Sequence, residues 1–326
     1  MRAYWTAPSD AFRARPHTDS PISQIAGRFV PALSLASSGA ISRELTLWTP
    51  AKLNLFLEVL GKRPDGFHEL ETLMLPISLY DTLVVRSEPT PRIALSCRRA
   101  SGGPVPGLPE DRGNLAYRAA ELIPGESGLS LTLLKRIPAE AGMAGGSTDG
   151  AAALVVVDAM RGGKLSREAL ADMAAKLGSD VPFFLAGGAA VCRGRGERID
   201  KAAGLAGLDF VIVKPPEGLS TAAVFKACKP ANEFKNSAPL VAALQSRDWR
   251  PVAEHMFNRL EEAAENLSPA IARVKRAFAA TDVVAHQMSG SGTSYFGLCR
   301  SAAQARRIGG RMRALNLGQV FVVRSL

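Results

Sequence analysis

Residues 139–160 read AEAGMAGGSTDGAAALVVVDAM, a glycine-rich stretch that leads into a run of helix-forming residues. A strand is predicted just before it, because leucines alternate in GLSLTLLKRI at 128–137 and Pro138 then ends the pairing. Glycines between a strand and a helix let backbone N–H groups approach an anion closely, and the helix dipole favours negative charge there. The stretch therefore predicts a phosphate-binding loop, with an ordinary flexible turn before a capped helix as the alternative.

Ser147 and Thr148 stand where this helix is predicted to begin. Their hydroxyl groups could cap the helix or contact a phosphate group and its metal ion. Two common nucleotide-binding loops are excluded. A Walker A loop needs a lysine after its last glycine, whereas residues 145–148 read GGST, and the dinucleotide pattern GxGxxG fails because GMAGGS stands at 142–147.

The rest of the chain alternates strand and helix patterns without a strict βαβ order, which favours an α+β fold over a doubly wound parallel sheet. Strands are predicted at 53–60, 72–85, 209–214, 293–299 and 320–326, and helices at 149–160, 166–178 and 269–280, with an amphipathic pattern at 251–266. The 326 residues exceed the roughly 250 to 300 at which one core usually stops growing, so two domains are expected. We predict an extension at 1–45, an N-terminal domain at 46–205 and a C-terminal domain at 206–326.

Composition is that of a soluble globular protein, with 47% hydrophobic and 21% charged residues. The uncharged apolar stretches fall short of the roughly 18 residues that a membrane span needs, so we expect no membrane partner. A net charge of +10 suggests an anionic partner, which charge alone does not identify. Arginines cluster at 300–324 without alternating aromatic residues, which favours a solvated helix face over a nucleic-acid surface.

The four cysteines, Cys97, Cys192, Cys228 and Cys299, lie far apart and form no CxxC or Cys/His cluster. This spacing argues against structural zinc and against a disulfide framework. We therefore predict buried, reduced thiols in a cytoplasmic protein.

Residues 1–45 mix Pro, Ser, Ala and scattered Arg without a sustained period. A secretory signal is not favoured, because the apolar part at 29–41 starts late and contains Pro31. A transit peptide is disfavoured by Asp10 and Asp19. We predict a disordered extension, and an over-long start assignment is the alternative that the sequence leaves open.

Three ordered stretches resemble the GHMP kinases, a family named for galactose, homoserine, mevalonate and phosphomevalonate substrates. PAEAGMAGGSTDGAAA at 138–153 resembles their phosphate loop, and MSGSGTSYFGL at 288–298 resembles their C-terminal glycine motif. TPAKLNLFLEVLGKRPDGFHELETLM at 49–74 resembles the signature of one branch, whose acceptor is a cytidine-diphosphate-linked methylerythritol of non-mevalonate isoprenoid synthesis. The resemblance spans roughly residues 47–326. It implies an N-terminal domain with the left-handed βαβ layout of a small-subunit ribosomal protein domain, a ferredoxin-like C-terminal domain, and an active site between them.

The resemblance further implies an ATP-dependent kinase that phosphorylates the C2 hydroxyl of this acceptor. Asp180, in LGSDVPFFL, would be the catalytic base, and Lys52, in PAKLN, would stabilise the reacting oxygen. From the residues alone, Asp180 could equally be a helix N-cap ahead of Pro182, and Lys52 a surface amine at a strand end. Mg²⁺ is expected with ATP; no metal ligand is assigned, although Ser147 is a candidate neighbour of the ion.

Acceptor-binding residues follow from the same resemblance. Phe67 and His68 would hold the cytosine ring, with Phe225 stacking from the other side. Asn54 and Thr221 would approach the methylerythritol portion. From the residues alone, His68 could equally be a structural histidine.

On the nucleotide side, the resemblance implies contacts from the phosphate loop and from two residues of the adenosine pocket. The pocket residues are Asn114 and Lys135. From the residues alone, Asn114 could equally be a helix cap and Lys135 a solvated edge-strand lysine. The chain departs from the usual family residues at Phe67, Met143, Ala144 and Asp149. The implied ATP-binding residues are Asn114, Lys135, Pro138, Ala139, Glu140, Ala141, Gly142, Met143, Ala144, Gly145, Gly146, Ser147 and Thr148.

The expected partners are thus two small molecules, ATP and the cytidine-linked acceptor, bound by a monomer or homodimer. Three other functions compete with this interpretation: a GHMP kinase for another alcohol, an RNA-binding module and a non-catalytic relative. GKRPDGFH at 61–68 argues against the first, because other alcohols need no cytosine site. The lack of an RNA-type aromatic platform argues against an RNA-binding module. The presence of both Lys52 and Asp180 argues against a non-catalytic relative.

Overall fold

The computed structural model describes residues 44–229 and 233–326. The predicted extension therefore lies outside the described residues up to position 43. Glu44 and Leu45, predicted to belong to it, instead open the first strand, and Leu45 is buried. Within the described ranges, no helix is both long and apolar enough to cross a bilayer.

The first of the two sheets in the described residues is built around a long antiparallel hairpin. Its strands are β1 (Glu44–Lys62), β2 (His68–Glu88), β3 (Ile93–Arg99), β4 (Gly128–Lys135), β5 (Ala190–Gly194), β6 (Arg198–Lys201) and β8 (Phe257–Asn258). The hairpin strands β1 and β2 pair over most of their length, and the strand order is β3-β4-β2-β1-β8. Strands β5 and β6 extend the sheet from the N-terminal part of β2.

Four helices accompany this sheet: α1 (Leu115–Leu122), α2 (Gly145–Met160), α3 (Arg167–Leu177) and α4 (Val181–Ala186). The centre of the layer is α2, whose residues 148–158 are all buried. A helix that is apolar all round is typical of a protein core, and the alanines at 151–153 allow its neighbours to pack closely. This packing fixes the N-terminus of α2, where the glycine-rich loop ends.

The second sheet consists of β7 (Asp209–Lys214), β9 (Ala285–Met288), β10 (Tyr295–Cys299) and β11 (Gln319–Arg324). Its antiparallel order β11-β7-β10-β9 places the first strand between the third and the fourth, as in a ferredoxin-like sheet. The helices of this half are α5 (Thr221–Ala227), α6 (Ala238–Ser246), α7 (Trp249–His255), α8 (Glu261–Leu267), α9 (Pro269–Ala279) and α10 (Ala302–Ala314).

The two sheets share one apolar cluster, in which Leu53 of the first sheet lies with Phe210 and Phe296 of the second. Backbone contacts also join them, since the amide of Leu326 donates to the carbonyl of Pro76 at 3.0 Å. The short strand β8 comes from the C-terminal half of the chain and pairs with β1. The predicted boundary at 205/206 falls between β6 and β7 and stays a prediction.

The predicted α+β class is confirmed, as are the strand at 209–214 and the helix at 166–178, which Ser166 caps through its hydroxyl. The amphipathic pattern at 251–266 covers parts of two helices, α7 and α8, which the short strand β8 separates. At β8, pairing of Phe257 with Phe56 overrides local helix propensity.

Candidate functional site

The catalytic lysine predicted from the sequence lies on β1, where the pairing with β2 is irregular. Register shifts occur between Pro50 and Ala51 and between Asn54 and Phe56, on either side of Lys52. Such bulges redirect side chains and are frequent beside active sites. Lys52 is 3% exposed, so it is not the surface amine that the sequence left as an alternative.

The ammonium of Lys52 is held by three oxygens. It donates to Asn54 Oδ1 at 2.6 Å and to the carbonyl of Gly142 at 2.9 Å, and Asp180 Oδ2 lies 3.6 Å away. The amide of Asn54 is oriented by its own donation to Thr72 Oγ1 at 2.8 Å. Lys52 thus joins a strand, the glycine-rich loop and the predicted base at one point.

Asp180 precedes α4 in the N-cap position, but its carboxylate accepts no hydrogen bond from the helix backbone. Its side chain is 36% exposed and lines the cavity described below. A carboxylate that is free of a capping role and open to the cavity can accept a proton from a bound hydroxyl group. The geometry therefore favours a chemical role over the capping alternative.

The glycine-rich loop enters α2 through a left-handed residue. Ala144 has φ +55° and ψ +36°, and no side chain caps the helix. The first N–H groups of a helix lack intrahelical partners, which leaves them available to an anion. The helix starts at Gly145, so Ser147 and Thr148 lie in its first turn instead of at its cap.

Met143 and Thr148 do not line the cavity, and both side chains are buried in the protein. Any contact from them to a nucleotide would have to come from their backbone. The other predicted ATP-binding residues all line the cavity.

The third glycine motif packs directly on the loop. Ser289 Oγ donates to the Gly142 carbonyl at 3.0 Å, and the amide of Ser294 donates to the Ala141 carbonyl at 3.3 Å. Gly290 lies so close to Lys52 that a Cβ there would be 3.3 Å from Nζ. The motif at 288–298 was the sequence signal for Ser289 and Gly290, yet neither was predicted as a site residue.

Gly142→Ala is expected to destabilise the chain by about 1–3 kcal/mol from its backbone conformation alone, since its φ is +67°. A Cβ would also lie 2.0 Å from the Ser289 carbonyl oxygen, which adds a clash between the two loops. Urea unfolding measures the effect. Gly310→Ala, in α10 with open space around it, is the control and should be neutral or slightly stabilising; equal stabilities of the two variants would contradict the packing argument.

Lys135 is not a solvated edge-strand lysine, because β4 lies between β3 and β2 and the Lys135 side chain is only 11% exposed. It forms ion pairs with Asp81 and with Asp149, the latter at 2.6 Å. Burial lowers the pKa of Lys135, but the two carboxylates outweigh burial and raise it. Burial and the Asp149 charge raise the pKa of Asp81 to about 6, although Lys135 opposes this. No local pattern in the sequence marks Asp81 as a site residue or links it to Asp149.

Asn114 is the N-cap of α1, where its side chain accepts from the amide of Ala116 at 3.0 Å. It also donates to the carbonyl of Pro109 at 2.9 Å and lines the cavity. The capping alternative is thus correct, and the residue also borders the cavity.

The residues predicted to bind the acceptor lie together on the wall of the same cavity. The rings of His68 and Phe225 stack with centroids 4.8 Å apart and planes 26° apart. Burial, and then the charge of Lys62, lower the pKa of His68, which favours a neutral imidazole. Thr221 Oγ1 lies 2.9 Å from Ser291 Oγ, at the start of α5.

Phe67 is 47% exposed and does not stack on Phe225 in this structure. The guanidinium of Arg195 lies 4.7 Å from the centre of its ring, a cation–π contact. An aromatic ring held at the surface beside a cation is suited to stack on a planar ligand.

One cavity of about 2350 Å³ runs from the neighbourhood of Asn114 past the glycine-rich loop to Phe225. Lys52 and Asp180 lie on its wall, together with Asn54, Phe67, His68 and Thr221. The arrangement places an anion-binding loop, a lysine, an exposed carboxylate and an aromatic pair along one connected space. Such a set is suited to moving a phosphoryl group between two bound molecules.

Comparison with known proteins gives matches to two family models. Residues 114–188 match the model of the GHMP kinases N terminal domain, and residues 240–316 match that of the GHMP kinases C terminal domain.

Several curated relatives match most of the chain. The 4-diphosphocytidyl-2-C-methyl-D-erythritol kinase of Pelotomaculum thermopropionicum is 39% identical over 287 residues, which cover 86% of this chain and 98% of the relative. The protein of the same description from Acaryochloris marina is 37% identical over 281 residues, with coverage of 80% and 88%.

Solved structures are similar as well. A crystal structure of 4-(cytidine 5'-diphospho)-2C-methyl-D-erythritol kinase has a TM-score of 0.71 at 35% identity, covering 86% of this chain and 98% of its own. The homoserine kinase from Cytophaga hutchinsonii has a TM-score of 0.67 at 20% identity, covering 88% and 96%, and shows likeness of fold alone.

Proposed function

The chain belongs to the GHMP kinase family, and on that premise we propose that it transfers the γ-phosphoryl group of ATP to the C2 hydroxyl of 4-diphosphocytidyl-2-C-methyl-D-erythritol. The observation that carries the proposal is the Lys52–Asp180 pair, which lies beside the glycine-rich loop and in the same cavity as His68 and Phe225. The membership and the two-domain α+β fold agree with what the three glycine-containing motifs predicted.

In the proposed reaction, Asp180 accepts the proton of the acceptor hydroxyl group as its oxygen attacks the γ-phosphorus. The new O–P bond forms while the bond from the γ-phosphorus to the bridging oxygen of ADP breaks, so the products are the acceptor phosphate and ADP. Lys52 lies 3.6 Å from Asp180 and can stabilise negative charge on the attacking oxygen. Its bond to the Gly142 carbonyl fixes the lysine relative to the loop.

The ATP phosphates would lie against the first turn of α2, where Gly145, Gly146 and Ser147 line the cavity. Gly146 has open space where a side chain would stand, so a phosphate can approach its backbone closely. Asn114 and Lys135 lie along the same cavity toward the proposed adenosine end.

Mg²⁺ is expected to accompany ATP. Among the described residues, no three His, Cys, Asp or Glu side chains are grouped so that they could hold a metal by themselves. Mg²⁺ in kinases is usually held by one or two protein oxygens and by the substrate phosphates, and Ser147 and Asp180 both line this cavity. The residues therefore fit an ion that arrives with the nucleotide, where it would neutralise charge on the phosphate oxygens.

The acceptor's cytosine would be held among His68, Phe67 and Phe225, with Asn54 and Thr221 nearer the polyol. Because His68 and Phe225 stack directly on each other, a ring cannot enter between them without moving one of the two. We therefore place the cytosine against Phe67 and the outer face of this pair.

Compartment and assembly are also part of the proposal. Cys97, Cys192 and Cys299 are buried and Cys228 is partly buried, and all four are free thiols, as a reducing cytoplasm would maintain. The domain boundary at 205/206 remains a prediction that limited proteolysis can test. A monomeric or homodimeric state also remains a prediction, and sedimentation analysis can test it.

The function is tested by phosphorus NMR of the purified chain with ATP, Mg²⁺ and 4-diphosphocytidyl-2-C-methyl-D-erythritol. We expect a new phosphomonoester resonance and an equal amount of ADP. Homoserine and mevalonate serve as control acceptors and should give neither. If the protein is folded and the ATP signals do not change, the proposed acceptor is refuted. Transfer of phosphate to a control acceptor would instead assign the chain to another branch of the family.

A further inference from the structure

A buried cluster of charged residues touches the glycine-rich loop at both of its ends. We infer that Asp81, Lys135 and Asp149 form a clamp that sets the shape of this loop, so that the two aspartates are positioning residues for nucleotide binding. The inference rests on the proposed function, because it assumes that the loop binds phosphate groups.

At the entry to the loop, Asp81 accepts hydrogen bonds from backbone amides. Its Oδ1 receives the N–H groups of Arg136 and Ile137, which directly precede Pro138, the latter at 2.9 Å. Its Oδ2 receives the ammonium of Lys135. One carboxylate on β2 thus fixes the backbone where the chain leaves β4.

At the exit from the loop, Asp149 lies in the first turns of α2. Its Oδ2 accepts from Lys135 at 2.6 Å, and its Oδ1 accepts from the hydroxyl of Thr49 at 2.7 Å. A Cβ on Gly145 would be 3.4 Å from Lys135 Nζ, so the ammonium lies directly under the start of the helix. Lys135 therefore ties the helix start to the same carboxylate that fixes the loop entry.

The two carboxylates of the clamp are shielded from water. The side chains of Asp81 and Asp149 are 0% and 2% exposed, and every carboxylate oxygen has a partner. Hydrogen bonds between charged groups in a buried, fully satisfied network are strong and hold their geometry. Lys135 is engaged on both sides, so it acts on the loop through the aspartates even though it borders the cavity.

The test compares two near-isosteric substitutions at opposite ends of α2. Asp149→Asn keeps an oxygen for Thr49 but turns an amide N–H₂ toward the Lys135 ammonium, which breaks the ion pair. Asp158→Asn is the matched control: Asp158 is also buried, and it accepts from the amide of Leu165 at 3.2 Å, away from the loop.

We expect Asp149→Asn to raise the Kd for ADP, measured calorimetrically without acceptor, by about tenfold or more, and to raise KM for ATP with little change in KM for the acceptor. Asp158→Asn should lower Tm and leave the Kd for ADP within about twofold of the unsubstituted chain. Equal Kd values in the two variants at a similar loss of Tm would overturn the inference and make the cluster merely structural.

If Asp149→Asn does not fold, Thr49→Val decides the question, because it removes only the hydroxyl donor to Asp149 and keeps the side-chain shape. A rise of about two- to fivefold in the Kd for ADP would support the clamp, and an unchanged Kd would overturn it. Because ADP binding is measured without acceptor, an incorrect acceptor leaves this test intact. If the unsubstituted chain bound no ADP, the proposed function itself would fail, and the clamp with it.

Discussion

Asp180→Asn is expected to lower kcat by about 10²–10⁴-fold, the usual contribution of a positioned general base. Asparagine has nearly the same shape but cannot accept the proton of the acceptor hydroxyl group. The change should cost little stability, because the Asp180 carboxylate accepts no capping hydrogen bond and is 36% exposed. Steady-state kinetics with ATP and the acceptor measure the loss, and calorimetry should give a Kd for ADP close to that of the unsubstituted chain.

The matched control for this substitution is Asp172→Asn, on the exposed side of the neighbouring helix α3. It makes the same chemical change outside the cavity, so its kcat should equal that of the unsubstituted chain. A kcat for Asp180→Asn within about threefold of this control would remove Asp180 from the role of base. Loss of measurable ADP binding in Asp180→Asn would point instead to a role in holding the nucleotide.

Lys52→Met is expected to lower kcat by about 10²–10³-fold, as removal of one donor to a developing oxyanion does in other enzymes. Methionine keeps most of the length and removes the charge. The substitution also takes a donor from Asn54 Oδ1 and from the Gly142 carbonyl, so we expect a lower Tm and a moderate rise in the Kd for ADP. The kinetic loss should greatly exceed the binding loss, because the charge acts mainly as the oxygen attacks.

Lys176→Met, on the exposed last turn of α3, is the control for loss of a lysine charge and should leave kcat unchanged. If Lys52→Met reduced kcat only in proportion to its loss of ADP affinity, Lys52 would be a loop-holding residue alone. The double variant with Asp180→Asn adds a further check. Residues that act as a pair are not additive, so the double variant should be little slower than the slower single variant.

Local patterns in the sequence were sufficient for much of the fold. The alternating leucines of β4, the hydroxyl cap at Ser166 and the strand at 209–214 were all predicted correctly. Each depends on residues within a few positions of one another, through side-chain periodicity or a single capping bond. The two-residue strand β8 was missed for the opposite reason, since only its pairing with β1 makes it a strand.

In the candidate site, too, some features follow from neighbouring residues and others depend on contacts between distant segments. The glycine-rich loop and its position between a strand and a helix follow from the sequence alone, because glycine, proline and helix-forming residues act on the backbone where they stand. The resemblance of three motifs to a family brought Lys52 and Asp180 forward as candidates. Nothing local in the sequence relates these two residues to each other.

Only the tertiary structure decided that Lys52 lies 3.6 Å from Asp180 and that the lysine bonds to the Gly142 carbonyl. Those contacts depend on the irregular register of β1 against β2 and on the packing of α2 and α4 over the sheet. The charged cluster of Asp81, Lys135 and Asp149 likewise joins two strands and a helix. Contacts between distant segments are set by the summed packing of the core, which no short stretch of sequence contains, whereas turn and helix signals are complete within a few residues.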